Sequence, residues 1–60
     1  MIKKLVLSYD EANKLHIYDR LADARRAILD GYYIAKIYTY RGYNPKPIYI
    51  GYAVVNSSEY

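Results

Sequence analysis

Apolar and polar positions alternate along the N-terminal part of the chain and predict a β-hairpin over residues 3–18. The apolar positions of this alternation are Leu5, Leu7, Tyr9, Leu15 and Ile17. A period of two is typical of strands that bury one face. A three-residue loop at 11–13, with Asn13 in the left-handed region, brings the two apolar sets onto the same face. We therefore expect that loop to join the first two strands.

The apolar spacing becomes helical over residues 19–30. The apolar stripe of this segment consists of Leu21, Ala24 and Ile28. Asp19 is placed to cap the first turn, and Gly31 is placed to adopt the left-handed conformation after the last turn. A helix of about three turns is stable only when it docks. We therefore expect it to pack against one face of a sheet.

A second hairpin is predicted from two segments rich in aromatic and β-branched residues, 32–40 and 48–55. The loop between them, 41–47, contains two prolines, which exclude a helix and restrict the backbone. The last residues, 56–60, are expected to fray.

Together these elements predict a single α+β domain over residues 1–60. The expected order is ββαββ, with a four-stranded antiparallel sheet and one helix on one face. The alternative is βαββ, with residues 10–18 as a loop. Sixty residues leave no room for a second domain.

Lys36 indicates which face of the third predicted strand is exposed, because a lysine in a sheet is rarely buried. Its face also carries Tyr32, Tyr38 and Tyr40. The buried face is then expected to hold Tyr33, Ala35, Ile37 and Thr39. On the last strand, the set that suits the buried face is Ile48, Ile50, Tyr52 and Val54, which leaves Tyr49 on the exposed face.

Tyrosine accounts for 10 of the 60 residues, while phenylalanine and tryptophan are absent. Tyrosine gives a rigid contact area at low entropic cost and is enriched at interfaces. Loop residues with arginine and tyrosine often form binding tips. The residues predicted to contact a partner are Tyr18, Tyr32, Lys36, Tyr38, Tyr40, Arg41, Tyr43 and Tyr49.

The chemistry-bearing residues do not indicate an enzyme. The chain has no cysteine and one histidine, so its carboxylates lack the partners of a common metal site. In the predicted hairpin, Ser8, His16 and Asp10 lie near one another, but a triad also needs an oxyanion hole and a pocket. A domain of this size has little room for a pocket of roughly 300 Å³. We therefore predict no catalytic residue, no metal and no cofactor.

The net charge of +3 permits a nucleic-acid partner without requiring one. The function predicted from these features is a non-enzymatic protein-binding module, with a homodimer as one form of that contact. The alternative is a protein that binds single-stranded nucleic acid by stacking bases on the tyrosines. No apolar run is long enough to cross a membrane, and no signal peptide is recognised, so a cytoplasmic location is expected.

Residue types with AT-rich codons (Lys, Ile, Asn and Tyr) total 25, against 15 for Gly, Ala, Arg and Pro. This bias favours a compact AT-rich genome, such as that of a phage or mobile element. A regulator or inhibitor of a host protein is the concrete form of the binding hypothesis.

Overall fold

The computed structural model of the chain describes residues 2–60. They form three strands and two short helices, so the chain is a small α+β protein. In chain order the elements are β1 (Lys3–Leu7), α1 (Tyr9–Asn13), α2 (Leu21–Arg26), β2 (Tyr32–Thr39) and β3 (Ile48–Asn56).

The three strands form one mixed sheet with β2 in the centre, in the order β1-β2-β3. β1 runs parallel to β2, with Lys3 opposite Ala35 and Leu7 opposite Thr39. β2 and β3 are antiparallel and are joined by the loop 40–47. A parallel pair requires a crossover connection, and here the crossover contains both helices.

The predicted first hairpin is wrong, because α1 replaces the end of its first strand and its turn, and residues 14–17 that follow are not a strand. The Ser8 hydroxyl caps this helix by accepting a hydrogen bond from the Glu11 backbone N–H at 3.2 Å. Serine followed three residues later by glutamate is the sequence signature of a capping box. The sheet therefore has three strands instead of four, and the element order is closer to the βαββ alternative, although its expected loop 10–18 contains α1.

The predicted helix 19–30 is present only as the six residues of α2. Its N-cap is Arg20, without a side-chain hydrogen bond, so Asp19 does not cap it. Ala24 is fully buried, whereas Ile28 and Leu29, which follow the helix, are exposed. A helix without a side-chain cap lacks the local signal that would hold its first turn in place.

The core lies on one face of the sheet, which we call the inner face. Leu7, from β1, and Ala12, from α1, are buried in the same cluster. The buried residues that β2 and β3 contribute are Ala35, Ile37, Thr39, Gly51, Ala53 and Val55. The predicted parity of β2 is therefore confirmed, as is the inward orientation of Leu5 and Leu7 on β1.

The predicted parity of β3 is wrong from residue 51 onward, because a bulge shifts the register. Ile37 pairs with Gly51, whereas the next residue, Tyr38, pairs with Tyr49, so Ile50 is an additional residue on β3. An additional residue exchanges the two faces of a strand beyond it. Gly51, Ala53 and Val55 consequently point to the inner face, and Tyr52 and Val54 point to the other.

The crossover connection forms one backbone bridge with the edge of β3 that faces away from β2. Tyr18 and Tyr52 form an isolated antiparallel bridge, with hydrogen bonds of 2.7 and 2.9 Å. Beside this bridge the backbone of Gly51, at φ +147°, comes so close that an added Cβ would lie 2.5 Å from Ile17 Cγ2 and 2.8 Å from the Tyr18 carbonyl oxygen. Only glycine fits this contact without displacement of the crossover.

The C-terminal residues, which were expected to fray, form a turn against the sheet. The Tyr60 backbone N–H donates to the Asn56 carbonyl at 3.1 Å, and Lys3 Nζ donates to the Tyr60 carbonyl at 3.1 Å. The Tyr60 side chain is partly buried against the core. Within residues 2–60, neither helix has the length or the apolar character needed to cross a bilayer.

Candidate protein-interaction surface

The face of the sheet opposite the core carries two rows of side chains that the strand register brings together. We call this face the outer face. Across the strands, the first row consists of Val6, Tyr38 and Tyr49. The second row consists of Lys4, Lys36, Tyr52 and, across the edge of β3, Tyr18. Residues that pair directly across strands lie on the same face, so each row is a line of neighbouring side chains.

Three tyrosines in these rows touch one another, and we call them the tyrosine cluster: Tyr38, Tyr49 and Tyr52. The ring centroids of Tyr38 and Tyr49 are 5.6 Å apart, at an interplanar angle of 61°. Those of Tyr49 and Tyr52 are 6.1 Å apart, at 81°. These are edge-to-face arrangements, in which the positive edge of one ring meets the negative face of the next.

The bulge on β3 makes this cluster possible. Tyr49 and Tyr52 are three residues apart, and in a regular strand they would point to opposite faces. The additional residue, Ile50, shifts the alternation of the strand by one position, so both rings lie on the outer face. The partly buried Ile50 side chain packs against the core instead.

The first row is the more exposed of the two. Val6 is 51% exposed and Tyr49 is 45% exposed, while Tyr38 between them is half-buried. In the second row Lys4 is exposed, and Lys36, Tyr52 and Tyr18 are half-buried. Tyr49 is therefore the most accessible ring of the tyrosine cluster.

The surroundings of Tyr49 raise the pKa of its hydroxyl above the ordinary value of 10.0. Partial removal from water is the largest cause, and the neighbouring Tyr52 hydroxyl is the next. The charges that Tyr52, Tyr38 and Asp19 carry when ionised add to the effect. The raised pKa keeps the hydroxyl a neutral donor and acceptor well above physiological pH.

His16 extends the aromatic surface past the edge of the sheet. Its ring centroid lies 4.4 Å from that of Tyr18, with the planes tilted by 45°. Ser8, which a catalytic interpretation would need as a nucleophile, has its hydroxyl engaged as the cap of α1. In the part of the chain that the structure describes, no three metal-ligating side chains form a group.

The residues predicted to contact a partner fall into several places. Tyr38 and Tyr49 belong to the tyrosine cluster, and Tyr18 and Lys36 belong to the second row. Tyr32 lies six residues before Tyr38 on the same strand, which separates them by about 20 Å.

The other three predicted residues follow the end of β2. Tyr40 is half exposed directly after the strand, and Tyr43 is fully exposed at the tip of the loop 40–47. Arg41 lines a pocket beside the inner face. The structure therefore does not bring Arg41 and Tyr43 into contact with the tyrosine cluster.

Sequence reasoning missed Tyr52 and Lys4. Lys4 joins the surface through the parallel pairing of β1 with β2, which no local pattern indicates. An unbroken alternation along β3 predicts Tyr52 on the buried face, whereas the bulge brings it to the outer face. Gly51 was the available signal, since a glycine inside a strand often marks a bulge or a close backbone approach.

Comparison of the chain with protein-family models, with curated proteins and with solved structures finds no match. The structure itself defines a small α+β protein with a mixed three-stranded sheet and a cluster of three tyrosines on its outer face.

Proposed function

We propose that this chain is a non-enzymatic module that binds another protein through the two rows on its outer face. The observation that carries the proposal is the tyrosine cluster, with exposed Tyr49 at its centre and two lysines in the adjacent row. Tyrosine is one of the residue types enriched among the few that dominate binding energy at protein interfaces.

The contacts within the cluster support binding because they reduce its entropic cost. Each ring is held by its neighbour before a partner arrives, so little rotational freedom is lost in the complex. The hydroxyls keep the surface compatible with water in the free protein and supply hydrogen bonds in the bound one. A preorganised patch of this kind suits a preformed, folded partner.

The charges on the second row indicate the chemistry of that partner. Lys4 and Lys36 are directly opposite each other on neighbouring strands, so two positive charges lie beside the rings. Like charges at directly opposite positions repel each other, and carboxylates of a partner would relieve that repulsion. The partner surface that fits combines an apolar centre with aspartate or glutamate at one side.

The same residues make single-stranded nucleic acid the second candidate, because lysines beside aromatic rings also suit phosphates and bases. The ring geometry favours protein. In the tyrosine cluster, rings meet at 61° and 81°, so their faces are partly used by one another instead of being open for stacking. The net charge of +3 is also small for a binder that depends on phosphate contacts.

Binding alone is enough for a regulatory effect, because a 60-residue domain that covers a functional surface blocks access to it. Inhibition of a host protein by a phage or mobile-element product is the form of this proposal that fits the excess of residue types with AT-rich codons. A second copy of the chain is the other protein that this surface could meet, although the lysine pair would then face its own counterpart.

The test compares three proteins as bait in a bacterial lysate at physiological salt: wild type, the double variant Tyr38→Ala/Tyr49→Ala, and Tyr9→Ala. Tyr9 is a control because it is an exposed tyrosine, at 57%, on α1, whose Ala12 is buried in the core on the inner face. Any protein retained by wild type and Tyr9→Ala but not by the double variant is then purified. Its binding is measured by calorimetry, where we expect the double variant to bind at least about tenfold more weakly.

The proposal fails if the purified partner binds the folded double variant as tightly as wild type. It also fails if wild type retains no protein that the double variant does not. Saturable amide shifts of Lys36, Tyr38 and Tyr49 with a mixed-sequence single-stranded oligonucleotide, weakened steeply by salt, would assign the surface to nucleic acid instead. A dimeric mass by light scattering that the double variant reduces to monomer would assign it to self-association.

A further inference from the structure

A pocket of about 300 Å³ opens beside the inner face, between α1, the segment that follows it and the ends of β2 and β3. This volume is larger than the sequence led us to expect and lies at the lower limit of ligand pockets. Since the tyrosine cluster is on the outer face, the pocket is separate from the proposed protein-binding surface.

Thr39 provides the first indication of a ligand. It is 1% exposed and lines the pocket, and its hydroxyl has no hydrogen-bond partner. A buried hydroxyl without a partner is unfavourable, so native proteins nearly always satisfy one. The hydroxyl hydrogen rotates about the Cβ–Oγ1 bond, so it is free to turn toward an acceptor that enters the pocket.

The walls provide the second indication. Leu15, Ile17 and Ile50 supply an apolar lining, which favours the apolar part of a small molecule over water alone. Arg41 stands two residues after Thr39 and is the one charged residue among the described lining residues. A guanidinium recognises a carboxylate through two parallel hydrogen bonds.

We propose that this pocket binds a small organic carboxylate. Its apolar part lies against Leu15, Ile17 and Ile50, and its carboxylate is held by the Arg41 guanidinium. The Thr39 hydroxyl donates the remaining hydrogen bond to a carboxylate oxygen. Thr39 and Arg41 are two positions apart along the chain, about 7 Å in extended backbone, so both can reach one carboxylate.

The test titrates isotope-labelled protein with phenylacetate and with its neutral analogue phenylacetamide, and follows the amide signals by NMR. We expect saturable shifts at Asn13, Leu15, Thr39 and Ile50 with phenylacetate. Phenylacetamide, which lacks the charge, is expected to bind about three- to tenfold more weakly. Arg41→Gln should weaken phenylacetate by a similar factor, while Arg26→Gln, a charge removed from exposed α2, should not.

Thr39→Val tests the hydroxyl, since the two side chains have the same shape. We expect phenylacetate binding to weaken about threefold or more in this variant, and to persist in Thr39→Ser, which keeps the hydroxyl. The proposal is overturned if phenylacetate gives no saturable shifts. Equal binding of the charged and neutral probes would overturn it too, because the pocket would then recognise only their shared apolar part and not the carboxylate. If Thr39→Val does not fold, Thr39→Ser and Arg41→Gln decide the outcome.

Discussion

The two faces of this sheet are built from different kinds of side chain. The inner face uses small and branched residues, among them Ala35, Ala53 and Gly51, which are buried where the crossover approaches. The outer face uses large rings that remain partly exposed, such as Tyr38 and Tyr49. The inner face therefore stabilises the fold through close contact, and the outer face offers area that a partner can still cover.

This difference implies that equal changes on the two faces will have unequal effects. A close-packed face has no space for an added methyl group and cannot collapse around a missing one. A face of contacting but exposed rings loses only part of its buried area when one ring is removed. Variants on adjacent residues can measure the contrast directly.

The largest effect is expected for Gly51→Ala, on the inner face. The added Cβ would meet Ile17 Cγ2 and the Tyr18 carbonyl oxygen, at a φ of +147° that alanine rarely adopts. Overpacking and backbone strain together should lower the free energy of unfolding by about 4 kcal/mol. That is close to the whole stability of a domain this small, roughly 3–5 kcal/mol. Urea titration followed by circular dichroism would then show no cooperative transition.

Gly42→Ala is the control for the backbone alone, because Gly42 has φ +55° but nothing within 4 Å of an added Cβ. It should cost about 1 kcal/mol. Equal losses in the two variants would show that the contact with the crossover does not matter.

The next effect compares Ile37→Ala with Tyr38→Ala, two neighbours on opposite faces. Ile37 is fully buried, so its truncation should lower the free energy of unfolding by about 3 kcal/mol. Tyr38 is half-buried and should lose about 1–2 kcal/mol. A larger loss for Tyr38 than for Ile37 in denaturant titrations would mean that the outer face contributes more to the fold than its exposure suggests.

The smallest effect concerns the outer face in alkali. Because the pKa of Tyr49 is raised in the folded state, folding favours its protonated form. That contribution is complete below pH 10.0, the ordinary pKa, and is lost as the pH rises through the raised value. Tyr49→Phe removes the ionising hydroxyl, so its stability should fall less steeply above pH 10 than that of wild type. Thermal melts of both proteins between pH 8 and about 11 would reveal the difference, and parallel curves would contradict it.

Local signals in the sequence were enough for the β2–β3 hairpin and for the faces of β2, since Lys36 identified the exposed side. They were not enough for β1, because its parallel partner, β2, follows both helices along the chain. The capping box that begins at Ser8 is a local helix signal, although the alternation around it predicts a strand. A short helix in an alternating segment shows how local capping can override periodicity.

The candidate surface was predictable to the same extent. Tyr38 and Tyr49 follow from the parity of two adjacent strands. For β3 that parity holds at Tyr49, which precedes the bulge, and fails from residue 51 onward. Tyr52 depends on the bulge at Ile50, and Lys4 depends on a long-range pairing. When strand pairing determines which side chains are neighbours, a surface can be predicted only where the pairing of the strands can be predicted.

The parallel pairing of β1 also has a consequence for synthesis on the ribosome. β1 is made first, yet its partner is complete only when Thr39 has been added. Until then the apolar residues Leu5, Val6 and Leu7 have no neighbouring strand to pair with. β2 and β3 can close locally as soon as both have emerged, because a hairpin requires only a short loop. Lys3 and Lys4, at the start of β1, give the waiting strand the positive charges that discourage pairing with the wrong neighbour.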